Sequence, residues 1–309
     1  MVQENCLNKV VVVCGPTASG KTELSVYLAK KFNGEVISAD SVAIYKGLDI
    51  GSAKPTKKEM DGVAHYMIDV VSPEDSFSVS DYEKMALPIL NDIINRSKLP
   101  IICGGTGFYI NSLLYKFSYG QTAANTEIRN KYNELVKERG AEYVYDILKG
   151  IDKETAEKLH PNDTVRVIRA LEIYESGGIK KSDIKDSKEK RYDFIALMPK
   201  ISREKLYDKI ERRVDEMIKN GLEDEVRSLL LSGITLENQC MQGIGYKEIA
   251  NAILNSNEIP TSEIKLNSRH YAKRQITFFK KTENLILLGG DGQNIKAEGE
   301  KAVSDFLKK

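Results

Sequence analysis

The eight residues Gly15-Pro16-Thr17-Ala18-Ser19-Gly20-Lys21-Thr22 constrain this chain more than any other stretch. They lie between an apolar run, Lys9 to Cys14, and a segment in which Leu24, Leu28 and Phe32 recur at helical spacing. The order is strand, glycine-bearing loop, helix. In that order the pattern G-x-x-x-x-G-K-[ST] lets successive backbone N–H groups curl around a phosphate, and the helix N-terminus adds partial positive charge. Lys21 supplies a mobile point charge, and the Thr22 hydroxyl is placed to hold Mg²⁺. A plain glycine turn is the competing reading, and the flanking order argues against it. The pattern leaves open which phosphate compound binds and whether any group is transferred.

The rest of the chain supplies the sheet that such a loop needs. Glu35 to Ala39 reads as a second strand delivering Asp40 and Ser41 at its carboxyl end, and His65 to Val70 as a third. Ser80 to Ser97 has helical periodicity through Met85, Ile89, Leu90, Ile93 and Ile94, and Leu99 to Cys103 is a short buried strand running into Gly104-Gly105-Thr106-Gly107. Alternating strands and helices predict an α/β fold, a parallel sheet flanked by helices with ligands at the strand carboxyl ends. From Tyr119 to Arg191 only helical patterns occur (126–139, 142–148 and 163–174), followed by a polar stretch over 177–190. Tyr192 to Met198 then restores a buried strand, and Leu285 to Leu288 is a last candidate. The expected organisation is a core of residues 1–118 and 192–309 with a helical insertion at 119–191.

Charge is nearly balanced, 46 Lys and Arg against 45 Asp and Glu, so a nucleic-acid partner has to be read from local clusters. Cys6, Cys14, Cys103 and Cys240 show no zinc-type spacing; Cys14 and Cys103 end apolar runs and read as small core residues. A reduced, cytosolic setting fits. No apolar run is long enough to span a membrane and no signal-peptide pattern opens the chain, so no membrane partner is expected.

Four places could carry chemistry. Asp40, at a strand end beside the phosphate loop, is either a general base or a structural cap or partner for Lys21. The strand ending at Cys103 lacks the acid that helps hold Mg²⁺ in many triphosphatases, and no N-K-x-D sequence is present to read guanine. Thr106 sits in a tight turn that could approach a ligand. Lys209 and Arg213 lie one turn apart on a helix predicted over 203–219, where they form a solvated face or steady a departing anion. The span 265–281 has seven cations (Lys265, Arg269, His270, Lys273, Arg274, Lys280 and Lys281) and no acid, with Tyr271, Phe278 and Phe279 interleaved. Such a helix suits a nucleic-acid backbone. Arg129, Arg166 and Arg169 form a sparser basic set in the insertion.

Taken with Ile44 to Gly51, Ala53-Lys54-Pro55, Ile68-Asp69, Gly107-Phe108-Tyr109, His160 to Asp163, Arg169 to Glu172, Gly245 to Glu248 and Ala272 to Gln275, these motifs resemble the tRNA dimethylallyltransferase family along nearly the whole chain. The resemblance implies a P-loop NTPase-like core and transfer of a dimethylallyl group from dimethylallyl diphosphate to N6 of the adenosine 3′ of the anticodon. It implies Asp40 as general base, Thr106 orienting the amine and Arg213 on the diphosphate. Gly15, Pro16, Thr17, Ala18, Ser19, Gly20, Lys21, Thr22 and Lys209 would hold the donor, with Mg²⁺ on Thr22. The tRNA anticodon stem-loop would be met by Asp40, Ser41, Val42, Ala43 and Thr106; by Arg129, Val165, Arg166, Val167, Ile168 and Arg169; by Gln242, Gly243, Ile244, Gly245, Tyr246 and Lys247; and by Arg269, Lys273, Arg274 and Gln275. A cytoplasmic monomer is expected.

Three residues depart from the family pattern. Lys209 stands where Arg is usual, which loses a bidentate fork. Val165 replaces a polar residue, and Ala43 a frequent Gln. The alternatives are an isopentenyltransferase acting on free adenine nucleotide, a small-molecule kinase with Asp40 as base, and a non-catalytic nucleotide-dependent RNA-binding module. The insertion and the basic span 265–281 favour tRNA over a free nucleotide.

Overall fold

The structure is a computed structural model that describes residues 8–116, 125–184, 189–289 and 294–309. Residues 1–114 with 190–309 form one compact unit and Tyr115–Glu189 a second. The expected boundary at 118/119 lies outside the described residues, as do Cys6 and part of the polar stretch 177–190.

In the first unit six parallel strands run in the order β3-β2-β4-β1-β5-β6. They are β1 (Lys9–Cys14), β2 (Gly34–Ala39), β3 (His65–Tyr66), β4 (Leu99–Gly104), β5 (Asp193–Pro199) and β6 (Leu285–Leu288). β1 is central, paired to β4 (Val12 to Ile102) and to β5 (Val11 to Ile195). Val10 to Val13 are completely buried, as β-branched residues covered on both faces should be. Helix α1 (Lys21–Lys31) lays Leu24 and Leu28 on Val11, Val13 and Ile101, and α13 (Ile295–Lys308) closes that layer with Val303 and Phe306. The opposite layer holds α3 (Val79–Asn95), capped by a Ser78/Asp81 box, and α4 (Gly107–Leu114), whose Tyr109 stacks on Tyr82 of α3 at 4.0 Å.

The chain passes from β1 out to β2 and returns to insert β4 between them, so the crevice lies off the carboxyl ends of β1, β2 and β4. A short α2 (Lys57–Met60) precedes β3. The strand expected over His65 to Val70 stops after Tyr66, because Met67 and Asp69 take left-handed φ of 62° and 55°. That turn buries Met67 and gives the Asp69 carboxylate to Lys54 at 2.5 Å. α9 (Arg203–Lys219), α10 (Leu222–Leu231), α11 (Tyr246–Leu254) and α12 (Thr261–Phe279) complete the unit.

The second unit is helical: α5 (Thr126–Arg139), α6 (Ala141–Ile151), α7 (Lys153–Glu157) and α8 (Thr164–Gly177). Tyr132, Val144, Leu148, Ala156 and Leu171 make its core. Glu172 of α8, with no exposed side-chain surface, accepts from Arg129 Nε at 2.8 Å, Arg169 at 2.6 Å and the Asn125 N–H at 2.7 Å. Burial alone would raise its pKa, yet those hydrogen bonds from Arg169, Arg129 and Asn125 hold it below the ordinary carboxylate value.

Candidate active site

The phosphate loop follows directly from β1. Ser19 donates to the Pro16 carbonyl at 2.8 Å, and Gly20 takes a left-handed φ of 86° where the chain enters α1, a conformation that favours glycine. Lys21 folds back so that its Nζ donates to the Pro16 carbonyl at 2.6 Å. Lys21 and Thr22 line a cavity of about 470 Å³ that also meets Asp40, Gly104, Arg213 and Tyr271. That volume suits a small-molecule site.

Asp40 leaves the end of β2, where its Oδ1 accepts the N–H groups of Val42 (2.9 Å) and Ala43 (3.1 Å). This is the capping geometry of the structural reading. One carboxylate oxygen makes the turn, and the same side chain still lines the cavity. Thr106, just before α4, donates its N–H to the Ala39 carbonyl at 3.0 Å, and its Oγ1 accepts the Ser41 N–H at 3.1 Å. The β2 and β4 termini are thus tied to each other beside Asp40. Tyr271 of α12 lines the same cavity, and burial with the nearby Asp40 charge pushes its phenol up to about 12.

Arg213, on α9, reaches the cavity beside Ile210, Val214 and Met217. Burial lowers its pKa, against the opposing pull of Asp40, Glu59 and Glu216. Burial also lowers that of Lys21; the charge of Asp40 opposes the shift, while the like charge of Arg213 adds to it. Neither cation makes an ion pair within 4 Å among the described residues. Two desolvated cations facing one cavity are electrostatically costly until an anion joins them.

Other residues of the sequence reading are arranged differently. Lys209 is exposed and lies off the cavity lining. Gln242, Gly243, Ile244 and Gly245 line the cavity, and Lys247 is exposed. The Tyr246 side chain is completely buried with its hydroxyl on Glu225. Glu225 also accepts the N–H groups of Asp49, Ile50 and Gly51 at 3.0, 2.8 and 3.3 Å, so Tyr246 has no free face for RNA. Val167 and Ile168 are core residues of the second unit, whereas Val165 is 79% exposed and Arg166 is exposed. Arg129 and Arg169 are engaged on Glu172.

On α12 the cations are unequal. Lys265 pairs with Asp215 and Arg269 with Glu211, both on α9, while Lys273 and Arg274 are exposed. Of the aromatics, Phe279 is buried and Phe278 packs edge-on against Phe108. Cys103 lines the cavity rather than sitting wholly in the core. The place of Tyr271 in the cavity lining escaped sequence reasoning because it depends on how α12 crosses the sheet end.

Thr22 fits a magnesium site in type. Thr22 lines the cavity, no group of three or more His, Cys, Asp or Glu side chains suited to a metal occurs among the described residues, and Mg²⁺ commonly takes most of its ligands from water and substrate phosphates.

Fold and site together define a P-loop α/β protein with a basic cavity for a small polyanion next to a carboxylate. The chain belongs to the IPP transferase family, which matches residues 43–282. It is 48% identical over 280 residues to the tRNA dimethylallyltransferase of Thermoanaerobacter sp. (strain X514), covering 88% of this chain and 89% of that one. It is 43% identical over 290 residues to the tRNA dimethylallyltransferase of Acetivibrio thermocellus, covering 92% and 93%. Among solved structures, the full-length tRNA isopentenylpyrophosphate transferase of Bacillus halodurans superposes with a TM-score of 0.73 at 39% identity, covering 97% of both chains. A eukaryotic dimethylallyltransferase acting on tRNA gives a TM-score of 0.83 at 29% identity, covering 97% of this chain and 80% of that one.

Proposed function

We propose that this protein transfers the dimethylallyl group of dimethylallyl diphosphate to N6 of the adenosine 3′ of the anticodon in tRNA. The observation that carries the reading is that one cavity gathers Lys21, Thr22, Asp40 and Arg213, and that Thr106 is bonded to the β2 end that bears Asp40. The phosphate loop holds the donor by its diphosphate. The adenine leaves the anticodon-loop stack, a step costing a few kcal/mol that falls for an unpaired base. N6 attacks the allylic carbon, the carbon–oxygen bond breaks, and its electron pair leaves on the diphosphate. The N6 proton passes to Asp40. An exocyclic adenine amine is a weak nucleophile because its lone pair is delocalised into the ring, so removing that proton as the C–N bond forms lowers the barrier. Thr106 orients the amine, while Lys21 and Arg213 stabilise charge on the departing group. Mg²⁺, held by the Thr22 hydroxyl, would neutralise part of the same charge.

The helical unit and the exposed Lys273 and Arg274 of α12 serve the tRNA, by phosphate contacts that position rather than specify. Of the expected insertion contact, Val165, Arg166 and Arg129 are exposed, Arg129 while also paired with Glu172. No helix among the described residues is long and apolar enough to cross a membrane. We assign the protein to the cytoplasm as a monomer. Incubation with Mg²⁺, radiolabelled dimethylallyl diphosphate and either tRNA or AMP tests the reaction. Label on tRNA alone supports it; label on AMP favours the free-nucleotide enzyme, and, in a parallel incubation with ATP, ATP turnover without transfer favours the kinase.

A further inference from the structure

Gln275 on α12 is 6% exposed, and both ends of its amide are engaged. Its Oε1 accepts the Thr17 N–H of the phosphate loop at 2.9 Å, and its Nε2 donates to the Gly105 carbonyl at 3.1 Å. The approach is close: a Cβ on Gly105 would stand 2.1 Å from that nitrogen, so the amide demands glycine there. The β1–β4 ladder ends at Cys14 and Gly104. Just beyond it, Gln275 ties the two loops to each other. The residue after Gly105, Thr106, is itself hydrogen-bonded to Ala39 and Ser41 on either side of Asp40. The loop that takes the donor diphosphate is therefore joined, through one side-chain amide and the Gly105–Thr106 backbone, to the strand end that carries the base.

We propose that Gln275 is a positioning residue for the transfer step, fixing the distance between the phosphate loop and the Asp40–Thr106 side of the cavity. The proposal rests on the reaction proposed above. It differs from the sequence reading, which placed Gln275 against tRNA. Misplacing reacting groups by an ångström can cost about a hundredfold in rate without weakening either substrate's binding. The amide has to donate on one side and accept on the other. Leucine at 275 does neither, while an ionised glutamate keeps the acceptor for Thr17 but opposes the Gly105 carbonyl with an oxygen. A protonated glutamate restores both bonds.

The test is steady-state transfer to tRNA by the full chain with Q275L and Q275E. For Q275L the expected result is a kcat fall of about 10- to 100-fold, with the KM for each substrate within about threefold. For Q275E the ratio of its kcat to wild type rises about tenfold or more from about pH 8 to about pH 6, as burial raises the carboxyl pKa and the acid form donates to Gly105. A loss confined to the KM for tRNA overturns the proposal and makes Gln275 an RNA contact. A loss confined to the KM for the donor overturns it in favour of a cradle role. A pH-independent ratio for Q275E also overturns it. An inactive wild-type protein would remove the reaction and this proposal together, whereas active wild type with unaltered variants removes this proposal alone.

Discussion

Replacing Asp40 by Asn separates the two roles that the carboxylate combines. Oδ1 of Asp40 accepts the N–H groups of Val42 and Ala43, and an asparagine oxygen can accept both in the same place. What Asn cannot do is take a proton from an amine. D40A, by contrast, removes the base and also leaves two N–H groups without their acceptor, at about 0.5–1.5 kcal/mol each. For a chain of this size that destabilisation corresponds to a Tm fall of about 2–4 °C per kcal/mol. General-base catalysis is worth about 10²- to 10⁴-fold. D40N should therefore lose that much in kcat for label transfer to tRNA, with Tm within about 1 °C of wild type, while D40A shows the same loss and melts several degrees lower. Stopped-flow or filter binding of tRNA should be nearly unchanged in D40N. A D40N enzyme within threefold of wild type would refute the reasoning, leaving Asp40 as the cap of the turn and nothing more.

Other perturbations separate binding from folding. R213A should weaken competitive inhibition by inorganic diphosphate about 10- to 100-fold, since a charge-assisted contact is lost, while tRNA affinity and Tm hold, because Arg213 has no ion pair to lose among the described residues. A tRNA-affinity defect without a diphosphate defect would move it to the RNA surface. E172Q should destabilise the helical unit by about 1–2 kcal/mol, since it turns charge-assisted bonds from the partly exposed Arg129 and Arg169 into bonds to a neutral amide; limited proteolysis within residues 115–189 reads this, and unchanged cleavage refutes it. Glu35 is held by hydrogen bonds from Arg96, against a smaller burial penalty, with Lys98 and Tyr66 adding to the effect, at a pKa of about 2. A depressed carboxylate contributes stability present above its unfolded value and lost as pH falls, here between about 4.5 and about 2. E35Q should therefore flatten the acid arm of the Tm–pH curve over that window; an unaltered arm would contradict it.

How much of this was legible depended on whether the information is local. The phosphate loop, β1 and α9 were readable because their periodicity and glycine placement are properties of a few adjacent residues. Asp40 was readable too, since a strand end beside such a loop has few other positions for a carboxylate. The strand expected over His65 to Val70 failed because Met67 and Asp69 take positive φ under tertiary demand, which no hydropathy pattern reports. That Arg129 and Arg169 also hold Glu172 was not readable, because charge is visible in sequence and its partner is not; Glu172 lies 43 positions from Arg129. Val167 and Ile168 entered through the family resemblance as a contiguous segment, but a helix alternates its faces, and these two face inward. The bonds of Gln275 were beyond reach, because they join segments more than a hundred residues apart.

The last side chain of β4, one residue before its terminal Gly104, has a chemical consequence of its own. Cys103 occupies the strand position where many phosphate-loop hydrolases carry an acid, and here the electrophile is carbon rather than phosphorus. Burial raises the Cys103 pKa, although Ser25 and Lys21 oppose it, so the thiol stays neutral at physiological pH and leaves the positive charge of Lys21 uncompensated for a diphosphate. A carboxylate in its place would lie close enough to Lys21 to pair with it, raising the lysine pKa and competing with the donor for the same cation. C103D should accordingly weaken inorganic diphosphate inhibition by about tenfold or more, equivalent to a charge-assisted bond of about 1.4 kcal/mol or more. C103S and C103V, both neutral and of similar size, should stay within threefold. If C103S and C103D lose affinity equally, the effect is one of packing around α1, and the charge argument for a neutral β4 terminus is wrong.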